Sequence, residues 1–277
     1  MTSNAKKILG ALVYWLFAGI IAVMVCIPFF WMVSTSLKSR GALMSIPMEW
    51  LPKEPTLDAY QKLFEIPFFA KSIFNSLYMA VTCTVAQLLF ASMAAFALTK
   101  IRFKGQNAVF SLYITALMIP VQITFIPIFI ILTRMNLTNN LNTFILFHLF
   151  NAFAIFMLRQ RMMTIHNAMV EAALIDGAGW WRIFFQIIMP LCGGALATLA
   201  ILSFMSVWND YLLPLVLLSD RAKATLPIIL SGLSGQYQNQ FNLMMAGALV
   251  SIIPILILYV CVQGQFKEGM TVGSVKG

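Results

Sequence analysis

Charged residues are scarce in this sequence. Lys, Arg, Asp and Glu make up 10% of its 277 residues, whereas soluble domains contain about 25%. Nine residues are acidic and two are histidines, which leaves little material for the clusters of ionisable groups that acid–base catalysis needs. Hydrophobic residues make up 61% of the chain. The composition therefore excludes an ordinary soluble domain.

Motifs for nucleotide and metal chemistry are also missing. The sequence has no G-x-x-x-x-G-K-[ST] phosphate-binding loop and no Gly-rich dinucleotide fingerprint. Its four cysteines, Cys26, Cys83, Cys192 and Cys261, lack the spacing of a metal clip. We expect no catalytic site, no metal and no cofactor in this chain. Any work that needs ATP must therefore draw on another subunit.

Long stretches without charge are the main positive feature. Each of six stretches exceeds the ~20 residues that cross a hydrocarbon core. The alternation typical of membrane β-barrels is absent, so the spans are predicted to be helices. We predict an all-α membrane protein with six transmembrane helices in one domain of residues 1–277, core helices at about 72–264 and a tail at 265–277. The stretches are Ile8–Leu37, Ser72–Thr99, Gly105–Thr133, Met135–Leu158, Ile183–Asn209 and Ala224–Phe266.

The net charge of +9 is explained by membrane topology. No basic stripe with interleaved aromatic residues indicates nucleic-acid binding. An even number of spans places both termini on one side of the membrane. Positive charge is concentrated on that side in short segments such as Lys100–Lys104, KIRFK, and such segments face the cytoplasm. We predict a multi-pass plasma-membrane protein with both termini in the cytoplasm.

A polar stretch, Thr164–Leu191, separates the fourth and fifth predicted spans. Charged residues cost several kcal/mol at the centre of a bilayer, so a segment with Glu171, Asp176 and Arg182 is predicted to lie outside it. Asn167 is a candidate N-cap and Gly177 a candidate C-terminal stop. We predict a short cytoplasmic helix over residues 167–177.

A helical wheel divides this short helix into two faces. One face is nearly smooth and predicts a docking surface, while the other is bulky and predicts packing on the chain's own membrane helices. A surface helix without a partner remains an equal alternative at this point. The smooth face has Ala168, Met169, Ala172, Ala173, Asp176 and Gly177, and the bulky face has Val170, Glu171, Leu174 and Ile175.

The same stretch resembles the loop signature of bacterial ABC importer permeases. That signature reads Glu-Ala-Ala, three residues, Gly, nine residues, Ile-x-Leu-Pro. Here it is matched by Glu171-Ala172-Ala173, Gly177 and Ile187–Pro190, with Met189 in place of Leu. The resemblance implies a type I importer fold in which Glu171, Ala172, Ala173, Asp176, Gly177 and Pro190 couple the permease to an ATPase that holds ATP and Mg.

Other segments resemble the carbohydrate-uptake branch of this family. They are Trp208–Leu215 (WNDYLLPL), the TLP at Thr225–Pro227 and the ending Val272–Gly277 (VGSVKG). The resemblance implies a sugar importer made of two homologous permeases as a heterodimer, an ATPase dimer and an extracellular sugar-binding protein. It also implies ATPase contacts for Met270, Gly273 and Lys276. A polyol-like or glycerol-phosphate solute, or a stand-alone secondary transporter, are the alternatives.

Four polar residues are candidates for a translocation pathway. Gln122 lies between Pro120 and Pro127, and two prolines are expected to break the third span twice. Irregular backbone in a membrane is tolerated beside protein or a cavity. The other candidates are Asn151 in the fourth span and Asn209 and Asp210 at the end of the fifth.

Overall fold

The structure is a computed structural model that describes residues 2–44, 49–236 and 240–271. All regular structure in these ranges is helical. The helices are α1 Thr2–Ser36, α2 Asp58–Glu65, α3 Phe69–Lys100, α4 Gln106–Ala116, α5 Val121–Arg134, α6 Thr143–His148, α7 Ala152–Met163, α8 Asn167–Ile175, α9 Trp180–Ile183, a π-helix Phe184–Ile188, α10 Met189–Leu191, α11 Gly193–Trp208, α12 Leu212–Leu217, α13 Leu226–Gln236 and α14 Phe241–Thr271.

The chain forms two compact units. The first contains residues 1–69 and 230–252, and the second contains residues 70–229 and 253–277. The second unit holds a continuous hydrophobic core in which α3, α7, α8, α9 and α11 meet. Its fully buried members include Ala91, Leu158, Ile183 and Ile188. The predicted single domain of residues 1–277 remains a prediction.

In the first unit, Lys38, which follows the end of α1, binds the segment that begins at Glu49. The Lys38 side chain is 3% exposed. Its Nζ donates to the carbonyl of Glu49 at 2.5 Å and lies 4.3 Å from the centre of the Trp31 ring. Asn242 Nδ2 donates to the Lys38 carbonyl at 3.0 Å. This one residue therefore joins α1, the segment beginning at Glu49 and the start of α14.

We expect Lys38→Met to destabilise the first unit by about 1–3 kcal/mol, because it leaves a half-buried carbonyl without its donor. The thermal unfolding midpoint of the detergent-solubilised protein, followed by tryptophan fluorescence, should fall by several degrees. Lys53→Met is the matched control, since Lys53 is an exposed partner of Glu49 at 2.7 Å and exposed pairs add little. Equal midpoints for the two variants would contradict the fastening role.

A backbone hydrogen bond from a distant part of the first unit holds the chain just before α2. Leu57 occupies the N-cap position without a side-chain hydrogen bond. The Thr56 amide instead donates to the Leu37 carbonyl at 2.9 Å, which holds the residue in the extended segment. The Thr56 hydroxyl is buried with no hydrogen-bond partner. The start of α2 is therefore held by a bond to the residue that follows α1 and not by a capping side chain.

Three helices in the described residues are long and apolar enough to cross a membrane: Gly10–Ser36, Phe69–Lys100 and Phe241–Gly264. Two bent pairs raise the number to five if each pair is one span. The predicted fourth span is divided at residues 149–151 into α6 and α7, and Asn151 caps α7 by accepting from the Ala154 amide at 2.9 Å. The prediction of six spans therefore remains a prediction.

The third predicted span is broken once rather than twice. The chain bends by 98° between α4 and α5, and Pro120 occupies the N-cap position of α5. Pro127 lies inside α5 without ending it. A single proline removes one backbone hydrogen bond, which a helix can survive, whereas Pro120 follows residues that have already left the helix.

Candidate functional site

The short helix α8 ends at Gly177 as the sequence predicts. Gly177 has a φ of +78°, the left-handed conformation that glycine adopts without a Cβ clash. The Ala178 amide donates to the Ala173 carbonyl at 2.9 Å and the Gly177 amide to the Leu174 carbonyl at 3.0 Å. This pair of bonds is a Schellman motif, which satisfies the last carbonyls of the helix. The end of α8 is therefore sharply defined.

The beginning of α8 differs from the prediction that Asn167 is its N-cap. His166 occupies the cap position without a side-chain bond, and Asn167 is the first helical residue. The Asn167 Oδ1 accepts instead from Lys100 Nζ at 2.9 Å. The same ammonium donates to the Ile165 carbonyl at 2.6 Å. The Asn167 side chain, which the sequence assigned to capping, therefore accepts a hydrogen bond from Lys100 at the end of α3.

The faces of α8 are also distributed differently from the wheel. Val170 and Ala173 are the buried residues of the helix and belong to the core of the second unit. Ile175 is 86% exposed and Met169 is 45% exposed. The small Ala173 faces the core because the helix lies close to it, and the bulky Ile175 faces outward. The assignment of Ala173 to the docking face and of Ile175 to the packing face was wrong.

The exposed surface of α8 combines apolar side chains with two carboxylates. Ala172 is exposed, as are Glu171, Asp176 and Gly177. We define the outer face of α8 as Met169, Ala172, Ile175 and Asp176, which follow one another at helical spacing. Met169, Ala172 and Ile175 together make an apolar patch in a stretch outside the predicted spans, and exposed apolar patches mark interaction surfaces.

A groove of about 330 Å³ runs beside this helix. The carboxylate-bearing Glu171 lines one part of it, and the cations of Lys100 and Arg102 line another. Val170, Leu174 and Trp180 contribute apolar walls. Mixed charge beside an apolar floor can receive a protruding polar segment of a partner.

Arg161 holds together the two ends of the stretch that contains α8. Its Nη2 donates to the Leu191 carbonyl at 2.9 Å and its Nε at 3.3 Å.

Pro190, the last residue of the signature, is exposed and lies in α10. The π-helix Phe184–Ile188 precedes α10, and such irregular turns often occur at functional sites. Neither Lys100 nor Arg161 was selected from sequence, because each donates to a backbone carbonyl far away in the chain, and a backbone carbonyl leaves no residue pattern.

The four pathway candidates lie at the ends of three helices, α5, α7 and α11. Gln122 is exposed in the first turn of α5, and Asn151 is the N-cap of α7. Asn209 donates to the Met205 carbonyl at 2.9 Å, and Asp210 accepts from the Leu213 amide at 3.3 Å. Among the hydrogen bonds of the described residues, none joins two of these four. Their role in a pathway remains a prediction.

The tail residues lie at the limit of the described chain. Met270 is within α14, but its side chain is not described. Gly273 and Lys276 are outside the described residues. Within the described residues, no group of three or more His, Cys, Asp or Glu side chains is placed to hold a metal ion.

Comparison with known proteins supplies the family. Residues 87–271 match the family described as the binding-protein-dependent transport system inner membrane component. The chain is 37% identical over 245 residues to the arabinooligosaccharides transport system permease protein AraQ of Halalkalibacterium halodurans, covering 88% of this chain and 86% of that protein. It is 30% identical over 266 residues to the melibiose/raffinose/stachyose import permease protein MelC of Bacillus subtilis, covering 95% of each chain.

A solved structure has the same fold. A chain of a bacterial ABC transporter involved in the import of the acidic polysaccharide alginate matches with a TM-score of 0.83 and 28% identity, covering 95% of this chain and 98% of that chain. Both relatives are permease proteins and not ATP-hydrolysing enzymes. The helices of membrane-spanning length in this chain agree with a permease. This chain belongs to the family of inner membrane permease components of binding-protein-dependent ABC transport systems, with a multi-pass, all-helical type I permease fold.

Proposed function

We propose that this chain is the permease subunit of an ATP-driven sugar importer and that α8 docks into a separate ATPase subunit. The outer face of α8 carries the proposal, because Ile175 is 86% exposed there, while another side of the same helix lines a charged groove. Burial of an exposed isoleucine by a partner stabilises the complex by about 1.5–3 kcal/mol. In this arrangement Glu171 pairs with a basic group of the ATPase. Ala172 and Asp176 belong to the docking face, Ala173 packs the helix on the core, and Gly177 ends it.

The proposed mechanism is alternating access driven by the partner. ATP and Mg, bound by the ATPase dimer, close that dimer and move the docked α8, together with the corresponding helix of a second, homologous permease. The pathway then opens outward to receive sugar from an extracellular binding protein, and hydrolysis returns it inward. The contacts of α8 must differ in strength between the two states, since a ligand shifts an equilibrium only through differential affinity. Both termini, including Met270, Gly273 and Lys276, lie on the cytoplasmic side with α8.

The proposed cargo is an oligosaccharide. AraQ is named for arabinooligosaccharides and MelC for melibiose, raffinose and stachyose, which are short, uncharged sugars. A relative in Agrobacterium fabrum, 30% identical over 262 residues, is named for sulfoquinovosyl glycerol, which makes a glycerol-containing solute the second candidate. Gln122, Asn151, Asn209 and Asp210 are the proposed polar lining.

The test is to purify this chain together with the products of its neighbouring genes and to reconstitute the complex in vesicles. Purification through a tag on this chain should bring down an ATPase and a second permease. In vesicles, arabinotriose or raffinose with the cognate binding protein should raise the rate of ATP hydrolysis, with sulfoquinovosyl glycerol as the competing candidate. Failure of any ATPase to co-purify, or uptake by this chain alone, would contradict the proposal.

A further inference from the structure

We propose that Lys100 is a positioning residue that transmits the movement of α8 to α3, and through α3 to the segment Ala222–Leu226 at the opposite end of that helix. The inference rests on the proposed docking of α8. It assigns a mechanical role to a residue outside the Glu-Ala-Ala signature. Its basis is a series of side-chain contacts that α3 makes at both ends and in the middle.

At the inner end, Lys100 makes two bonds to the segment that begins α8. The Nζ donates to the Ile165 carbonyl at 2.6 Å and to the Asn167 Oδ1 at 2.9 Å. Both acceptors are neutral, and charge-assisted bonds of this kind are roughly twice as strong as neutral ones. Ile165 is itself buried, so the anchor point is part of the core. A displacement of α8 along its docking direction therefore pulls on the last residue of α3.

At the other end, α3 holds the segment that precedes α13. Asn75 Nδ2 donates to the carbonyls of Ala222 at 3.1 Å and Ala224 at 3.0 Å. Ser76 Oγ accepts from the Leu226 amide at 2.7 Å. Asn75 and Ser76 are both buried. Three bonds to backbone groups fix this segment to α3 and leave it little freedom to move separately.

In the middle, α3 is joined to α11. Gln87 Nε2 donates to Ser203 Oγ at 2.7 Å, and both side chains are buried. Such an interhelical bond between polar side chains is a common means of helix association in membranes. α3 is therefore fixed to its neighbours along its length rather than only at its ends.

The continuity of α3 makes it suited to transmission. The helix runs unbroken from Phe69 to Lys100, and Asn75 lies about 38 Å from Lys100 at 1.5 Å per residue. By contrast, α4 and α5 are bent by 98°, and the α9–α10 segment and α11 by 79°. A continuous helix moves as one body, whereas a bent pair can absorb displacement at its break.

Hydrogen–deuterium exchange of the assembled complex tests the proposal without a sugar. The complex of this chain with its second permease and ATPase is exchanged in the absence and presence of Mg-ATP with vanadate. We expect nucleotide to change the exchange of residues 220–228 in the wild type. In Lys100→Met that change should fall about fivefold, while ATPase protection of residues 167–177 is retained. Lys100→Arg should restore the nucleotide-induced change at residues 220–228. Lys104→Met removes an exposed cation four residues away and should behave as wild type.

The outcomes separate this inference from the proposed function. An unchanged nucleotide response of residues 220–228 in Lys100→Met would overturn the inference and leave docking intact. Absence of protection at residues 167–177 in the wild-type complex would overturn the docking proposal itself. If Lys100→Met does not assemble, Asn167→Ala decides, because it removes a single acceptor on an exposed residue. A reduced response in that variant supports the role of Lys100, and an undiminished one overturns it.

Discussion

Ile175→Asp is expected to abolish association with the ATPase while leaving the permease folded in the membrane. The wild-type side chain is 86% exposed, so the chain's own fold gains little from it. In the docked state the variant would lose about 1.5–3 kcal/mol of apolar burial and would add the cost of an unpaired buried carboxylate. Together these predict a fall in affinity of more than about 100-fold. Co-purification through a tag on this chain measures it.

Two further variants define the cause of that loss. Ile175→Leu keeps the volume and apolar character and should retain the ATPase. Val170→Asp places the same charge on the opposite, buried face of α8, so it should lower the yield of folded permease rather than docking alone. Normal recovery of the ATPase with Ile175→Asp would show that the outer face of α8 is not the docking surface.

Gly177→Val is the second change with a large expected effect. Residue 177 has a φ of +78°, which a β-branched residue adopts only at a cost of about 1–3 kcal/mol. No atom lies within 4 Å of an added Cβ, so the cost is conformational rather than a clash inside the chain. The Schellman end of α8 should open, and sugar-stimulated ATP hydrolysis should fall at least about tenfold.

The controls for Gly177 use the local geometry. Gly179 has a φ of −73° and also has open space around an added Cβ, so Gly179→Val should be tolerated by the fold. Gly177→Asn adds bulk at a position whose conformation asparagine accepts more readily. Loss of coupling in Gly177→Asn with an intact helix end would indicate close approach of the ATPase at this point. Undiminished transport by Gly177→Val in an intact complex would refute the role of this residue.

The end of α8 could be predicted because its cause is local. A glycine that follows a helical run favours the left-handed conformation that ends the helix. The structure shows this conformation at Gly177. The start could not, because Asn167 has two possible partners. A backbone amide within the helix competes with Lys100, which is 67 residues away in sequence. The long-range cation prevails, and nothing in the sequence indicates that α3 ends beside α8.

The faces of α8 illustrate the same limit. Val170 and Ala173 are neighbours on the helix surface, three residues apart, but residue size assigned them to different faces, and spacing does not decide which face meets the core. Residue size suggested that bulky side chains pack inward. The structure places Ala173 inside and Ile175 outside, because close approach of α8 to the core requires a small residue at the contact. The exposed apolar surface is consequently larger than the wheel predicted.

By itself the sequence determined the membrane class, the all-helical fold, the polar stretch between apolar runs and the glycine that ends α8. These follow from composition, backbone hydrogen bonding in lipid and local conformational preference, which need no partner in space. Only the tertiary structure decided where the runs break, which side of α8 is buried, and that Lys100 and Arg161 fasten the stretch around it. The breaks and the buried face depend on how the helices pack, and the two cations meet carbonyl groups far away in the chain; a carbonyl is present at every residue, so the sequence does not mark which one is used.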